Sequence, residues 1–507
     1  MPGSFVKLGP FKGGLNNVSD PTSLEEDELS VCENFEFDTD GSLTSRPAIV
    51  NYTSYATSNT MDLLGYYVDD ATGTAYLIGS NDSGVYYLSG STWNTIVAGY
   101  RSYAATQYLD KMWIVSAPGA AVTGGQWDPT SGYANVAAMP KGMSIGVYKE
   151  RLFIGAGDKA TSNSSRLYFS GIADGTSWPA PNFIDIRKGD GQKLVDLYVL
   201  NNSIYLFKND STHVYSYDTA PDKGTVQVVS GTIGASGLHC VVQYQNYLLV
   251  YHEQYVYELI NYVYNQLNVK LTFTPDYSTT GTFFRPVAIS IVGNRLVIRY
   301  FDKVFVFNFD TRTWTQWTST KTFSHWIQQP KLSTANVASF YVSGTCILNN
   351  SGIYALNDNP LGDPSYTENI TCVARTKYYD FESPNTFKRL FWWGCDVIAS
   401  GTVTGKIVPI IYNTQIKWQD LTGLTWGDID DNLWIQPLLV DPTITDVVDA
   451  SGTKSRKFLK FQKSCRFREV YFEVRIDTDC SPSKAPVKIF SIAPTLSQKQ
   501  KVSQKIS

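Results

Sequence analysis

The sequence predicts an all-β chain: a β-propeller of about seven blades, preceded by an N-terminal arm and followed by a C-terminal β-sandwich domain. The first observation is a recurring strand-turn-strand unit. Leu200-Asn201-Asn202-Ser203-Ile204-Tyr205-Leu206-Phe207 returns as Tyr244-Gln245-Asn246-Tyr247-Leu248-Leu249-Val250-Tyr251 and as Val292-Gly293-Asn294-Arg295-Leu296-Val297-Ile298-Arg299. Each copy is followed by a second apolar run, Val214-Tyr215-Ser216-Tyr217, Tyr255-Val256-Tyr257-Glu258 and Val304-Phe305-Val306-Phe307. The turn residues Asn202, Asn246 and Asn294 stand 44 and 48 residues apart, a period that consecutive antiparallel strands of propeller blades produce. The second observation is composition: 14% of residues are aromatic, with 33 Tyr and 12 Trp, which suits pleated, half-buried surfaces better than helical bundles. The third is a change of spacing beyond residue 366, where alternating runs lengthen.

The first 59 residues form the arm. Ser23-Leu24-Glu25-Glu26 reads as a capping box opening a short helix through about Glu33. A Gly-rich stretch, Gly13-Gly14-Leu15-Asn16-Asn17, precedes it, and Phe37-Asp38-Thr39-Asp40-Gly41 makes a tight turn after it. Such an arm buries little by itself and is expected along a partner or the outside of its own propeller.

Residues 60–365 form the propeller, with blades beginning near Met61, Tyr100, Gly142, Gly191, Thr232, Thr279 and Thr322, which makes seven, with six or eight also compatible with the pattern. Asp310-Thr311-Arg312-Thr313-Trp314 and Ser89-Gly90-Ser91-Thr92-Trp93 repeat a turn followed by Trp, whose physical use is an outer-strand indole closing over its own blade. Small-residue loops such as Ala117-Pro118-Gly119-Ala120 and Gly155-Ala156-Gly157 weaken the pattern in the first three blades. Residues 366–496 carry the longer runs, Lys406 to Tyr412 and Glu469 to Ile476, with an acidic loop near Asp428 to Asp449 between them. Long alternating strands joined by a long connection suggest the sandwich. Residues 497–507 are Ser, Gln and Lys with few apolar positions, the composition of a flexible tail or docking arm.

At 507 residues, two or three compact units are expected. Charged residues are only 17% of the chain, against a typical ~25%, so much of the surface must be uncharged polar or in contact with protein. A formal charge of −4 gives no support to polyanion binding by the whole molecule. The first residues lack the basic and apolar pattern of a secretory signal and no run approaches a membrane span, so folding in a cytosol is expected. Cys32, Cys240, Cys346, Cys372, Cys395, Cys465 and Cys480 are odd in number and scattered, which favours free buried thiols over disulfides or zinc. With four His, a multi-histidine metal centre is disfavoured; His213 and His252 read as solvated hairpin-turn residues.

Two segments resemble Asp-box turns of sialidase-type propellers, Ser80-Asn81-Asp82-Ser83-Gly84 and Ser170-Gly171-Ile172-Ala173-Asp174-Gly175-Thr176-Ser177-Trp178. Such turns stabilise a fold and do not imply hydrolysis, which needs two facing carboxylates or a Tyr with an Arg cluster. No Gly-rich loop precedes a helix, and there is neither a Gly-x-Ser-x-Gly elbow nor a His-Glu-x-x-His helix, so no catalytic, cofactor or metal residue is assigned. Asp38, Asp40 and Gly41 lack the rest of a calcium loop and read as a turn. The densest basic run is Lys454 to Arg468. At strand period Leu459, Phe461, Cys465 and Phe467 share one face, with Lys463 the exception, and Lys460, Gln462, Ser464, Arg466 and Arg468 the other. The plain reading is a solvated strand face; the functional one makes Arg456, Lys460, Arg466 and Arg468 a candidate interaction surface, for an acidic partner or passing nucleic acid through phosphate contacts alone. Arg187-Lys188-Gly189-Asp190-Gly191 is most simply an inter-blade loop.

Phe11-Lys12-Gly13-Gly14-Leu15-Asn16, the expected helix Leu24 to Asn34, and Gly41-Ser42-Leu43-Thr44-Ser45-Arg46-Pro47 look like the opening of many tailed-bacteriophage virion proteins. Arg166 to Trp178, running into Leu194-Val195-Asp196-Leu197, adds to the likeness. Propeller hairpins followed by a terminal β-domain resemble the tail hub or nozzle protein of short-tailed phages, also called the packaged-DNA stabilisation protein. That resemblance implies a hexameric ring below the portal and adaptor, extending the DNA channel and holding the genome until ejection. It implies no enzymatic activity and no cofactor. Its partners would be further copies of the chain, the adaptor or head-to-tail connector, and a tail needle or fibres, in a virion tail assembled in the host cytoplasm. The rival readings are a tail-tip or fibre-base protein of a long-tailed phage and a propeller that binds or hydrolyses glycans.

Overall fold

A computed structural model describes residues 4–5, 7–54, 61–89, 92–157, 163–273, 287–300, 303–318, 321–328, 340–346, 351–357, 368–379, 388–398, 403–412, 437–439, 446–448, 455–467, 469–480 and 488–498; for several strands, chiefly beyond residue 320, it describes the backbone path alone. Among these residues the chain folds as seven four-stranded antiparallel units, the blades of a propeller. Their first strands are Asp62–Asp69, Ser102–Tyr108, Ser144–Tyr148, Leu194–Leu200, Val241–Tyr244, Val287–Val292 and Lys321–Gln328, each within nine residues of the start expected from sequence. These first strands stand side by side around the axis, and the seventh returns to the first. Between blades four and five the Tyr198 hydroxyl donates to the Val241 carbonyl at 2.7 Å.

Hairpin chemistry explains why the blades form where they do. Two-residue turns with both φ angles positive match the twist of the strands they join. Leu109 and Asp110, Lys149 and Glu150, and Asn201 and Asn202 adopt that geometry between the first and second strands of blades two, three and four. Blade seven differs in origin. Its first three strands, ending in Ser351–Asn357, are completed by Ala48–Ser54 from the N-terminal region, so a pairing some 300 residues apart in sequence closes the ring.

The arm is not a separate extension. Ser4–Phe5, Gly14–Leu15, Glu28–Glu33, Phe35–Phe37 and Leu43–Ser45 all join the sheets of the C-terminal region. One sheet runs Ser455–Phe467, Lys388–Ile398, Lys488–Gln498, Leu43–Ser45, Phe35–Phe37. The other continues from the outer strand of blade six, Thr313–Trp317, through Glu28–Glu33, Glu368–Thr376 and Glu469–Cys480 to Val403–Tyr412. Phe11, Leu15, Phe35 and Phe37 share one buried core with Cys372, Phe472, Val474, Ile489 and Ile492, from both sheets.

The helix expected from Ser23 to Glu33 is corrected: Glu28–Glu33 is a β-strand. Ser23 Oγ donates back to the Asp20 carbonyl at 2.9 Å, and the carboxylate of Glu28 accepts the Glu25 N–H at 3.1 Å. The capping residues are thus spent on a turn, and the following backbone finds ladder partners in Val373 to Thr376 on one side and Gln316 on the other. Tertiary pairing overrides the local signal. Residues 499–507, the bulk of the expected tail, lie outside the described residues.

Asn34, in the left-handed region at φ 58°, ties arm, propeller and sandwich together. Its amide donates to Thr318 Oγ1 at 2.6 Å and the Thr371 carbonyl at 2.8 Å, while its Oδ1 accepts from Arg46 Nε at 2.9 Å and Thr318 N at 2.8 Å. Arg46 is almost fully buried, gives further hydrogen bonds to the carbonyls of Pro47 and Thr318, and lies 5.8 Å from the centre of the Trp317 ring.

Candidate functional site: strand edges and the propeller bore

Among the described residues the outer strands of blades one to five each pair with a single strand, and those of blades four and five expose β-branched side chains. There Thr225–Ser230 of blade four pairs with Thr212–Ser216 alone, and its first four residues are exposed, Val226 and Val228 among them. Val263–Gln266 of blade five pairs there with Tyr255–Ile260 alone and exposes Val263, and the turn before it exposes Tyr262. Neither strand carries a charge or a proline. Natural edges are ordinarily blunted by Lys, Pro or cover, so a bare β-branched edge is a template for another chain. The outer strands of blades one and six instead bury Trp93 and Trp314, as the turn-then-Trp pattern anticipates.

The first strands of blades one to six line a bore of about 520 Å³. Its described lining is apolar and uncharged polar, with Leu63, Tyr103, Val147, Tyr198, Gln243 and Ile291 among its residues, and Asp196 is the one acid in it, without any Lys or Arg. Asp196 sits at a register shift in blade four, and its Oδ1 accepts the Leu197 N–H at 2.9 Å. It is half-buried, crowded by the narrow bore, and that desolvation pushes its carboxyl up to about 7.

The basic run lies on Ser455–Phe467, an edge strand of the first C-terminal sheet. Arg456 stands opposite Asp396, Lys460 opposite Trp392 and Arg466 opposite Arg389; Arg468 lies outside the described residues. The register shifts between Leu390 and Trp392, where residues 461–464 oppose Phe391 alone, so strict period-two alternation does not run through the strand.

His213 and His252, expected in solvated turns, are corrected: both are buried within strands, Thr212–Ser216 and Tyr247–His252. Ladder pairing of the second hairpin in blade four resumes at Thr212, which carries His213 inside. Burial, then the nearby Lys208 and Arg187, hold its imidazole below the usual value. The loop Arg187 to Gly191 packs on this spot. Lys208, fully buried, donates to Asp190 at 2.7 Å, Ser165 Oγ at 3.1 Å and the Arg187 carbonyl at 3.2 Å. All three ammonium protons are satisfied, which makes this a structural knot between blades three and four.

The two Asp-box-like segments occupy different turns. Ser80 to Gly84 links the second and third strands of blade one, with Ser83 N donating to Asn81 Oδ1 at 2.9 Å. Ser170 to Trp178 follows the third strand of blade three, where Asp174 accepts from Thr176 and Trp178 Nε1 donates to the Gly175 carbonyl at 2.7 Å. Asp38 pairs with Lys488 and Asp40 accepts the Ser42 N–H, which makes that segment a pinned turn. Cys32, Cys240 and Cys372 are free, buried thiols, and burial pushes Cys32 up to about 12. Among the described residues no three His, Cys, Asp or Glu are placed to hold a metal ion, and no helix is long and apolar enough to cross a membrane.

No protein-family model and no curated protein matches the chain. Solved structures do. The extracellular domain of the putative hybrid two-component system BT4673 from B. thetaiotaomicron is 11% identical with a TM-score of 0.42, over 68% of this chain and 42% of that one. The chain therefore spans about two-fifths of that protein's length. The Neurospora crassa Pan2 WD40 domain is 7% identical with a TM-score of 0.39, over 61% of this chain and 96% of that one. The AfRom2 CNH domain is 9% identical with a TM-score of 0.38, over 61% and 99%. The all-β propeller follows from the strand pairing itself, and likenesses this distant add nothing about function.

Proposed function

We propose that this chain is a structural virion protein, a tail hub or nozzle subunit of a short-tailed bacteriophage whose hexameric ring extends and closes the DNA channel below the portal and adaptor. The observation that carries the reading is the pair of uncharged, β-rich edges on blades four and five, surfaces built to receive a neighbour. A ring needs a heterologous contact, one patch meeting a different patch on the next copy, and an edge strand offers backbone groups for such a contact. The role is mechanical. One face docks on the connector, the lumen narrows below it, and the outside offers a platform for a needle or fibres. The bore of a single propeller, about 520 Å³, is of small-molecule size, so duplex DNA passes between subunits, through the centre of the ring. A lumen that must release DNA avoids a continuous basic lining, because every phosphate neutralised would retard exit.

Electron microscopy tests this on the purified chain, alone and with a connector ring. A sixfold ring with an axial lumen wide enough for duplex DNA is expected. A threefold assembly at a distal tip, or a monomer at every concentration that gives no ring with the connector, would sink the reading.

A further inference from the structure

The bore of the propeller has the chemistry of a binding site independent of any ring. It is enclosed by six first strands and has the volume of a small-ligand pocket. Asp196 has no ion-pair partner among the described residues; its one hydrogen bond there is to the next backbone amide. A carboxylate in a wall whose other described residues are uncharged is costly unless a cation meets it. The same wall offers the ring of Tyr198, and an aromatic face favours a cation; the Tyr103 ring already has the Arg101 guanidinium 5.3 Å from its centre. A lone carboxylate is a poor site for a hard divalent metal, which takes six or more oxygens, and among the described residues no three His, Cys, Asp or Glu are placed to hold one.

We propose that the bore binds a compact organic cation, a guanidinium or primary ammonium compound, with Asp196 as counter-ion. The cation meets the ionised carboxylate, so binding strengthens as pH rises through the Asp196 titration. The other titratable groups in the described lining are Tyr103, Tyr198 and His239. On the first strand of blade seven His325 stands just after a register shift, the position Asp196 holds in blade four.

The test is ligand-observed NMR titration of the full chain with methylguanidinium, which stays charged throughout, and with methylurea, its neutral counterpart. At about pH 8, methylguanidinium is expected to bind at least about tenfold more tightly than methylurea, and to lose that advantage at about pH 5.5, where Asp196 is protonated. Asp196→Asn should abolish the difference at both pH values while leaving the circular dichroism spectrum unchanged. Equal binding of the two probes at the higher pH, or undiminished methylguanidinium binding by D196N, would overturn the proposal. If D196N failed to fold, the two probes on the unaltered chain would still decide it.

Discussion

Blade six and blade four share one build and differ at the outer edge. In blade six the last strand, Thr313–Trp317, passes on to Glu28–Glu33 of the arm and so into the C-terminal sheet. In blade four the last strand, Thr225–Ser230, meets nothing further among the described residues and shows four exposed positions in a row. The lesson is that the chain disposes of its edges in two ways. It covers one with its own N-terminal strand and leaves the other exposed among the described residues.

The covered edge should be the costlier to disturb. Arg46→Ala removes a buried guanidinium that donates to Asn34 and to the carbonyls of Pro47 and Thr318. Stranding buried acceptors costs about 1–3 kcal/mol each, so a loss of about 3 kcal/mol or more is expected by denaturant titration. Because Asn34 also holds Thr371, calorimetry should show propeller and C-terminal sheets melting as two transitions instead of one. A single transition with unchanged midpoint would mean that the joint is ornamental.

The bare edge should respond in the opposite way. Val228 is 53% exposed, so Val228→Lys is expected to change monomer stability by no more than about 0.5 kcal/mol. A lysine on an edge is the usual device against strand addition. Sedimentation velocity should therefore show self-association weakened by about tenfold or more, a loss of about 1.4 kcal/mol. Rings of normal affinity from V228K would move the subunit contact elsewhere and leave the blade-four edge unexplained.

What could be read from the sequence follows the range of the interactions. Blades were legible because alternation and turn residues act between strands a few residues apart, as in Val199, Leu200 and Ser203 pairing across the Asn201-Asn202 turn. The arm was not, because Glu28–Glu33 owes its strand conformation to Gln316 and Val373, far along the chain, while its local Ser-x-x-Glu signal points to helix. The bare edge was half visible: Thr-Val-Gln-Val-Val-Ser has no charge, but the pairing was needed to tell that no described strand covers it. Asp196 left a trace as the lone acid in Leu-Val-Asp-Leu-Tyr-Val-Leu, and the closed ring was needed to turn that trace into a bore. The basic run of Arg456, Lys460 and Arg466 was legible as a strand, yet the bulge at 461–464 breaks the alternation that had gathered its charges.

The same contrast between paired and unpaired groups extends to the carboxylates. Asp196 has its carboxyl raised from 3.8 to about 7 by burial. Between those values the folded chain keeps a proton that the unfolded chain releases, so stability falls as pH rises, and the penalty is complete above about 7. Asp196→Asn should accordingly raise the melting temperature at about pH 8 and leave it nearly unchanged below about pH 4. A variant equally stabilised at both values would show that the effect is packing and not charge.

Glu28, at the covered edge, is the counterpart and the smallest effect. Burial raises its carboxyl, but hydrogen bonds from Lys270, Asn16 and the Glu25 N–H, with the Lys270 charge, outweigh that and hold it below 4.5. For a depressed acid the stabilisation is present above the unfolded value and is lost as pH falls through the folded one. Lys270 is half exposed and 2.7 Å from Glu28, so solvent screens the pair and Lys270→Ala should cost about 0.5–1 kcal/mol at neutral pH. Asn16 and the Glu25 amide remain in K270A, so the arm strand keeps its place and the acid-unfolding midpoint should move up only slightly. A loss as large as that of R46A would mean that this one ion pair, and not the ladder to Gln316 and Val373, holds the arm against blade six.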